Sequence, residues 1–512
     1  MTRVNDDSQW DTGRFARAFI QLMDDVHALV PAAVYEEPFF ARVIREHLGV
    51  DPAGLSVVEQ LFAPSDHPNL QLAFEHYAAE SERSALYGLP IEATHWSGFG
   101  LANLAAPRDG PSFDAVAPAF TNVPVDVDRT LACVTMGVWL LEHEGAPVVA
   151  LIAQGDSHRG SLGMKVEVLC REREDAVAFL AGLSALAHRL NVYRGKVLSF
   201  TFTEWGSFGL EFHRLPALTR DDLILPEEDL AAIERHTVGV ADHVDALRRA
   251  GRHLKRGLLL FGPPGTGKTF SVMYLCSRMP GRTTILLSGQ AAPTLGQAAA
   301  IARSLAPSML VLEDVDLVAM ERTLPGMGSN PLLFQLLNEM DGLDEDADVI
   351  FVLTTNRVDL LEPALAARPG RIDQAVEIQL PDATCRRRLL DRYFRGMITA
   401  LDDVDGVVER TAGVSAAFLK ELARRAALTA AEDSPDREEI VVRQADVDAA
   451  LDDLLDHATP TLRASLGADP ELAAGFSAPP AAAGGPAVVF AGTTSFSRVV
   501  RSRRPSPPPP QT

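Results

Sequence analysis

The chain is poor in paired cysteine, in positive charge and in long apolar runs, and each shortage removes a class of protein. Its four cysteines, Cys133, Cys170, Cys276 and Cys385, are scattered without CxxC or CxxH pairing. Such spacing argues against a zinc site or a disulfide scaffold and fits reduced, buried thiols. Lys and Arg number 47 against 69 Asp and Glu, a formal net charge of -22. Binding to a phosphate backbone leaves a basic footprint, so no nucleic-acid partner is expected. The acidity is read as an aid to solubility. The longest strongly apolar run, Leu131 to Leu141, is far too short to span a bilayer. The opening MTRVNDDSQW also lacks the apolar stretch of a signal peptide. These absences predict a cytoplasmic location and no membrane partner.

What is present is ordinary globular material in unusual order. The 512 residues suggest several domains, with hydrophobic residues at 47% and charged residues at 23%. Residues 1–220 read as an α+β N-terminal region of one or two subdomains, suited to recruiting a partner. Its strands are expected at 131–141, 146–153, 164–169 and 196–203, with a helix from Asp175 to Leu190. A connector spans 221–256, with helical stretches around Gly239. Apolar runs at 258–261, 284–287, 309–312, 349–353 and 376–380 then alternate with helical patterns, the sign of a parallel sheet wrapped by helices. This unit is assigned to 257–382. Residues 383–457 read as helices only. The stretch 458–512, rich in Ala, Gly, Pro and Ser, reads as a disordered tail.

The segment RGLLLFGPPGTGKT carries the strongest chemical signal. A short apolar strand runs into Gly262, Pro263, Pro264, Gly265, Thr266 and Gly267, and Lys268, Thr269 and Phe270 open a helix. The spacing G-x-x-x-x-G-K-T is that of a phosphate-cradling loop. Glycines let backbone N–H groups converge on phosphates, and the positive end of the following helix favours the anion. Lysine reaches the β and γ phosphates as a point charge, and the threonine hydroxyl ligates magnesium. A nucleoside triphosphate with Mg2+ is the expected ligand; the resemblance given below makes it ATP.

Downstream, MLVLEDVD places Glu313, Asp314 and Asp316 at the carboxyl end of an apolar strand. Carboxylates there can hold magnesium and polarise an attacking water. Alone, such a cluster is a solvated turn; after a phosphate loop it reads as the second half of a nucleotide site. VIFVLTTNRVD puts Asn356 just past another strand, where an amide can orient water. LEPALAARPGRID carries Arg368 and Arg371 outside the strand–loop unit of Lys268. An arginine in that position either pairs with a surface carboxylate or completes the site of a neighbouring subunit, where it stabilises charge developing on the phosphoryl group.

In this order GPPGTGKT, LVLEDVD, TTN and LEPALAARPGRID resemble the AAA family of ATPases over roughly residues 225–457. The resemblance implies an α/β fold: a P-loop NTPase with a parallel five-stranded sheet and a C-terminal helical lid. It also implies a homo-oligomeric ring, usually of six subunits, acting on a protein client. By that likeness Lys268 and Thr269 bind phosphate and magnesium, and Glu313 takes the magnesium side. Asp314 takes the water-activating position, Asn356 senses the γ phosphate, and Arg368 and Arg371 act on the neighbour's ATP. Arg386 matches a recurring lid arginine, GVSAAFLK from Gly413 matches the lid turn near the adenosine, and Gly239 matches the place where backbone meets adenine.

Two departures from the family pattern matter. The usual acidic pair is Asp then Glu, here Glu313 then Asp314. The shorter base predicts slow hydrolysis, because general-base geometry is sensitive to distances of one methylene. The segment expected to line a central pore, SGQAAPTLGQ, has Thr294 and Leu295 where an aromatic–aliphatic pair grips a threaded chain. Two readings follow: a ring that remodels a protein client, or a slow nucleotide-gated scaffold or switch that threads nothing.

Overall fold

The computed structural model describes residues 18–22, 37–90, 93, 99–106, 113–154, 163–202, 208–288, 294–316, 338–340, 347–358, 372–432 and 439–454. Arg368, Arg371 and the tail 458–512 lie outside the described residues.

The first half is built on an antiparallel sheet in the order β1-β6-β5-β4-β2, with β3 paired to β4. Its strands are β1 (Val57–Phe62), β2 (Ala85–Gly88), β3 (Ala119–Asp126), β4 (Arg129–His143), β5 (Ala146–Gln154) and β6 (Met164–Leu169). Helices α1 (Phe39–Leu48) and α3 (Leu101–Ala105) cover one face; α2 (His67–Glu80) and α4 (Arg173–Arg189) cover the other. Alternation along β4 and β5 assigns the faces. Val138, Leu140, Val149 and Leu151 pack on Phe40, Ile44 and Leu101. Trp139, Leu141, Val148 and Ala150 pack on Phe74, Phe179 and Leu183. With both faces covered, β5 is buried from Val148 through Ala153, the run that reads as continuous apolar sequence.

Among the described residues the second sheet holds seven strands, in the order β13-β9-β12-β11-β10-β7-β8. They are β7 (Val197–Phe202), β8 (Phe208–His213), β9 (Arg256–Phe261), β10 (Thr283–Leu287), β11 (Ser308–Leu312), β12 (Val349–Thr355) and β13 (Gln374–Glu377). All neighbours are parallel except β7 and β8, which form an antiparallel hairpin. The five strands expected from the sequence are therefore contiguous, running from the β13 edge to β10, and β7 and β8 extend the sheet beyond β10. The strand read at 196–203 does not join the N-terminal sheet: it pairs in parallel with β10, as Thr284↔Val197 and Ile285↔Leu198. The physical reason is visible in its side chains. Phe200 packs into the core with Leu259, Ile285 and Leu310, and Leu198 packs with Phe212 and Leu305. Two ion pairs, Lys196–Asp126 and Arg214–Asp128, tie the hairpin to β3 and the β3–β4 turn.

Central strands β11 and β12 are buried along their whole length, as parallel strands with helices on both faces must be. On one face α9 (Leu295–Ser304) contributes Leu295, Ala298 and Ala302. On the other, α8 (Lys268–Arg278) contributes Val272 and Leu275, joined by Leu230 and Ile233 of α5 (Glu227–His236). Two short helices, α6 (Val238–Asp242) and α7 (Val244–Arg249), complete the connector.

The remaining helices are α10 (Ala383–Tyr393), α11 (Val404–Arg410), α12 (Ala416–Glu432) and α13 (Gln444–Asp452), around their own core of Leu389, Val407, Phe418, Leu422 and Val447. This part is not helical throughout. Ile398–Ala400 (β14) and Val441–Arg443 (β15) form a small parallel pair, too short to show as an apolar run. The hairpin's packing makes one prediction. Phe200→Ala should lower the stability of the nucleotide-binding unit by about 3–5 kcal/mol, a core-sized loss, read from denaturant unfolding of the full chain. A loss confined to the N-terminal unit would contradict it.

Candidate functional site

All the parallel strands end on one side, and the sequence places its polar residues there. In a sheet of this kind the crevice beyond the carboxyl ends, where strand order reverses, is the place for a ligand. Here β9 leads into the loop 262–267 while β11 and β12 lead into Glu313 and Asn356.

The loop needs its glycines for two separate reasons. Gly262 has φ +145°, and a Cβ there would sit 2.2 Å from the Ile378 carbonyl oxygen. Gly265 has φ +75°, and a Cβ would press within 2.8 Å of Ser415 Oγ and 2.9 Å of Ala417 Cβ. Strand β13's exit and the start of α12 thus close in on the loop from two sides. The Ala417 N–H donates to the Gly265 carbonyl at 3.0 Å, a direct bond between α12 and the loop. Thr266 braces the turn by donating its hydroxyl to Pro263 O at 2.9 Å.

Lys268 is buried, and its Nζ donates to the carbonyls of Gly262 and Pro263, each at 2.8 Å. Burial pulls its pKa down to about 8, opposed by the charges of Asp314 and Asp316. An ammonium held on two neutral carbonyls, with carboxylates facing it, is poised to exchange those acceptors for phosphate oxygens.

The three carboxylates after β11 have different surroundings. Glu313 faces the Thr269 hydroxyl; burial raises its pKa, that hydroxyl opposes the rise, and Asp314 adds to it. Its Oε1 is buried without a hydrogen-bond partner. Such an orphaned oxygen is costly unless something binds it. Among the described residues no group of three or more His, Cys, Asp or Glu could hold a metal. That is no obstacle to Mg2+, which takes one or two protein ligands together with waters and substrate phosphates. Thr269 and Glu313 fit that donor set.

Asp314 sits at φ +49°, a backbone conformation uncommon for a residue with a side chain. Its N–H donates to Thr354 Oγ1 at 3.0 Å, and Asn356 Nδ2 reaches its Oδ1 at 3.4 Å. Burial raises its pKa first and the charge of Asp316 second, with Lys268 and Asn356 opposing. A carboxylate so placed is a stronger base than a solvated one. The structure therefore brings Lys268, Thr269, Glu313, Asp314 and Asn356 into one cleft.

Other candidates stand elsewhere. Gly239 lies within α6; its carbonyl is 2.8 Å from His243 Nδ1, and its neighbour Val238 packs beside Val272 and Leu275 of α8. Phe270 packs against the same core and carries the Arg392 guanidinium over its ring at 5.6 Å. Arg386 is buried and donates to Val408 O and Pro381 O, so it pins α10 to α11 rather than facing the cleft. Thr294 and Leu295 are buried at the start of α9, Leu295 completely. Sequence reasoning missed the parts played by Thr354, Ile378 and Ala417, which act through backbone or buried contacts.

Lys268→Ala removes the only buried cation facing Asp314 among the described residues and should weaken nucleotide binding by roughly 100-fold or more. Fluorescent-nucleotide titration checks this, and near-native affinity would contradict the assigned cradle.

Comparison with known proteins agrees with this geometry. Residues 258–380 match the ATPase family associated with various cellular activities (AAA). The chain is 35% identical over 246 residues to an ATP-dependent zinc metalloprotease, FtsH 2 of Sphaerobacter thermophilus, covering 45% of this chain and 37% of that protein. It is 31% identical over 237 residues to the proteasome-activating nucleotidase of Thermococcus gammatolerans, covering 44% and 59%. It is 32% identical over 226 residues to the Cell division cycle protein 48 homolog of Archaeoglobus fulgidus, covering 42% and 31%. The chain thus spans between about a third and three fifths of the length of these relatives. With its phosphate loop, acidic turn and asparagine converging at the strand ends, the segment 258–380 is an AAA-family ATPase domain.

Proposed function

We propose that the chain binds ATP with Mg2+ in the cleft at the ends of β9, β11 and β12 and hydrolyses it slowly, in a homo-oligomeric ring that remodels a protein client. The observation that carries the reading is the convergence of Lys268, the Glu313–Asp314 pair and Asn356 at one edge of one sheet.

The chemistry follows from the residues. Lys268 leaves its loop carbonyls for the β and γ phosphates and neutralises charge that grows as the terminal phosphoryl group departs. Thr269 and Glu313 would hold magnesium, which when bound screens the phosphate oxygens. Asp314 accepts a proton from the attacking water, and Asn356 steadies its carboxylate by Nδ2. Ala417, bonded to Gly265, makes α10–α13 a lid that responds to what the loop holds. Arg368 and Arg371 are proposed to reach the neighbour's nucleotide.

A second reading, a switch that changes partner affinity without threading, is favoured by the burial of Leu295 in the core. A side chain so placed gives a pore no aliphatic grip. The zinc protease activity named for the FtsH relatives forms no part of the proposal: the sequence contains no H-E-x-x-H, the helical zinc pair with its base.

Two measurements test the reading. ATP with magnesium should shift the chain to a defined oligomer and support turnover that EDTA abolishes. Mixing Arg368→Ala subunits with Asp314→Asn subunits should restore part of the activity lost in each alone, since intact sites then re-form across mixed seams. A wild type that stays monomeric with ATP, and mixtures that recover nothing, would overturn the ring. Turnover stimulated by a folded client would favour remodelling over switching.

A further inference from the structure

Asp316, the third carboxylate after β11, is buried, and its side chain reaches the end of β12. Its Oδ1 accepts the Thr355 hydroxyl at 2.8 Å and the Asn356 backbone N–H at 3.2 Å. The Thr355 hydroxyl also accepts the Arg357 N–H at 2.9 Å. A hydroxyl has one proton; the Arg357 N–H can only donate to it and the Asp316 carboxylate only accept, so that proton is directed to Asp316. One residue earlier on β12, Thr354 Oγ1 accepts the Asp314 N–H. The register makes this possible: β11 and β12 run parallel with Leu312 beside Leu353, so the residues after each strand emerge side by side. The two strand ends are thus clasped in both directions: one threonine hydroxyl of β12 accepts from the β11 side and the next donates to it.

The consequence falls on Asn356. Its backbone is fixed from one side by Asp316, and its Nδ2 reaches Asp314. Asn356 has few other ways to be aimed, since it lies just beyond the last ladder residue of β12. We propose that Asp316 is a positioning residue for phosphoryl transfer: through Thr355 and the Asn356 backbone it sets the Asn356 amide against Asp314 and the attacking water. It touches neither nucleotide nor metal. The inference rests on the proposed ATP turnover and adds to it a residue whose hydrogen bonds act through its neighbour.

The test is a double-mutant cycle in the full chain, reading kcat and nucleotide affinity separately. Asp316→Ala should lower kcat on the order of 10-fold to 100-fold, as a misplacement near 1 Å does, while binding of a fluorescent ATP analogue stays within about threefold. Asp316→Asn keeps an acceptor oxygen and should recover part of the loss. Asp316→Ala added to Asn356→Ala should cost no further turnover beyond about twofold, the limit expected when one residue acts through the other. Should Asp316→Ala fail to fold, Thr355→Val against Thr355→Ser gives the same comparison, the valine losing turnover and the serine keeping more of it. Additive losses in the cycle, a parallel fall of affinity and kcat, or an unaffected kcat would each overturn the positioning role. A wild type without any ATP turnover would overturn the function reading beneath it, a result distinguishable from all three.

Discussion

The parallel register of β9, β11 and β12 is the constraint on which the site depends. Parallel strands need helical crossovers, and the crossovers bury both faces of the sheet. Every polar residue with chemistry to do is therefore pushed to the strand ends, and in a parallel sheet the carboxyl ends share one edge. The loop from β9, the acidic turn from β11 and the asparagine from β12 meet for that reason, although long stretches of sequence separate them. Backbone bonds fix how closely they meet: the Glu313 N–H donates to Leu287 O, and the Ile378 N–H donates to Phe261 O. The second bond places the Ile378 carbonyl where only a glycine at 262 can pass.

Electrostatics then separates the roles of chemically similar groups. Glu313 and Asp314 are neighbours in sequence, yet one faces Thr269 and the other faces Asn356 and Lys268. Burial raises the pKa of both, so each is less content as a bare anion than it would be in water. Glu313 carries the orphaned oxygen suited to a cation. Asp314 carries the raised basicity suited to proton abstraction. The inverted order of the acidic pair therefore leaves two distinct environments in place, with the shorter side chain on the water side.

Much of this was legible in the chain itself. The phosphate loop, the acidic turn and Asn356 each follow an apolar run that could be read as a strand, and their order along the chain, with the family resemblance it carries, tied them together. The hairpin β7–β8 was not legible as part of the nucleotide sheet, because an apolar strand carries no mark of which sheet it will join. Phe200 and Leu198 are as hydrophobic as any residue of β5; only the open edge of β10 decides their partner. Leu295 read as a pore-loop position because a helix start and a loop tip share composition, whereas packing against Leu310 and Phe351 settles it as core. Arg386 likewise read as a lid arginine by its place in a motif, and its burial against two carbonyls shows a bracing part. Polar residues whose partners are backbone atoms leave no periodic signal.

In the proposed function, one nucleotide is gripped at once by the ends of three strands and the first turn of α12. Amide hydrogen exchange of the full chain, with and without ATP analogue and magnesium, tests this directly. Slower exchange is expected at 262–269, 313–316, 354–357 and 415–417 together, with the antiparallel sheet of the first half unchanged. Protection confined to the loop 262–269, or appearing mainly in the first half, would contradict it.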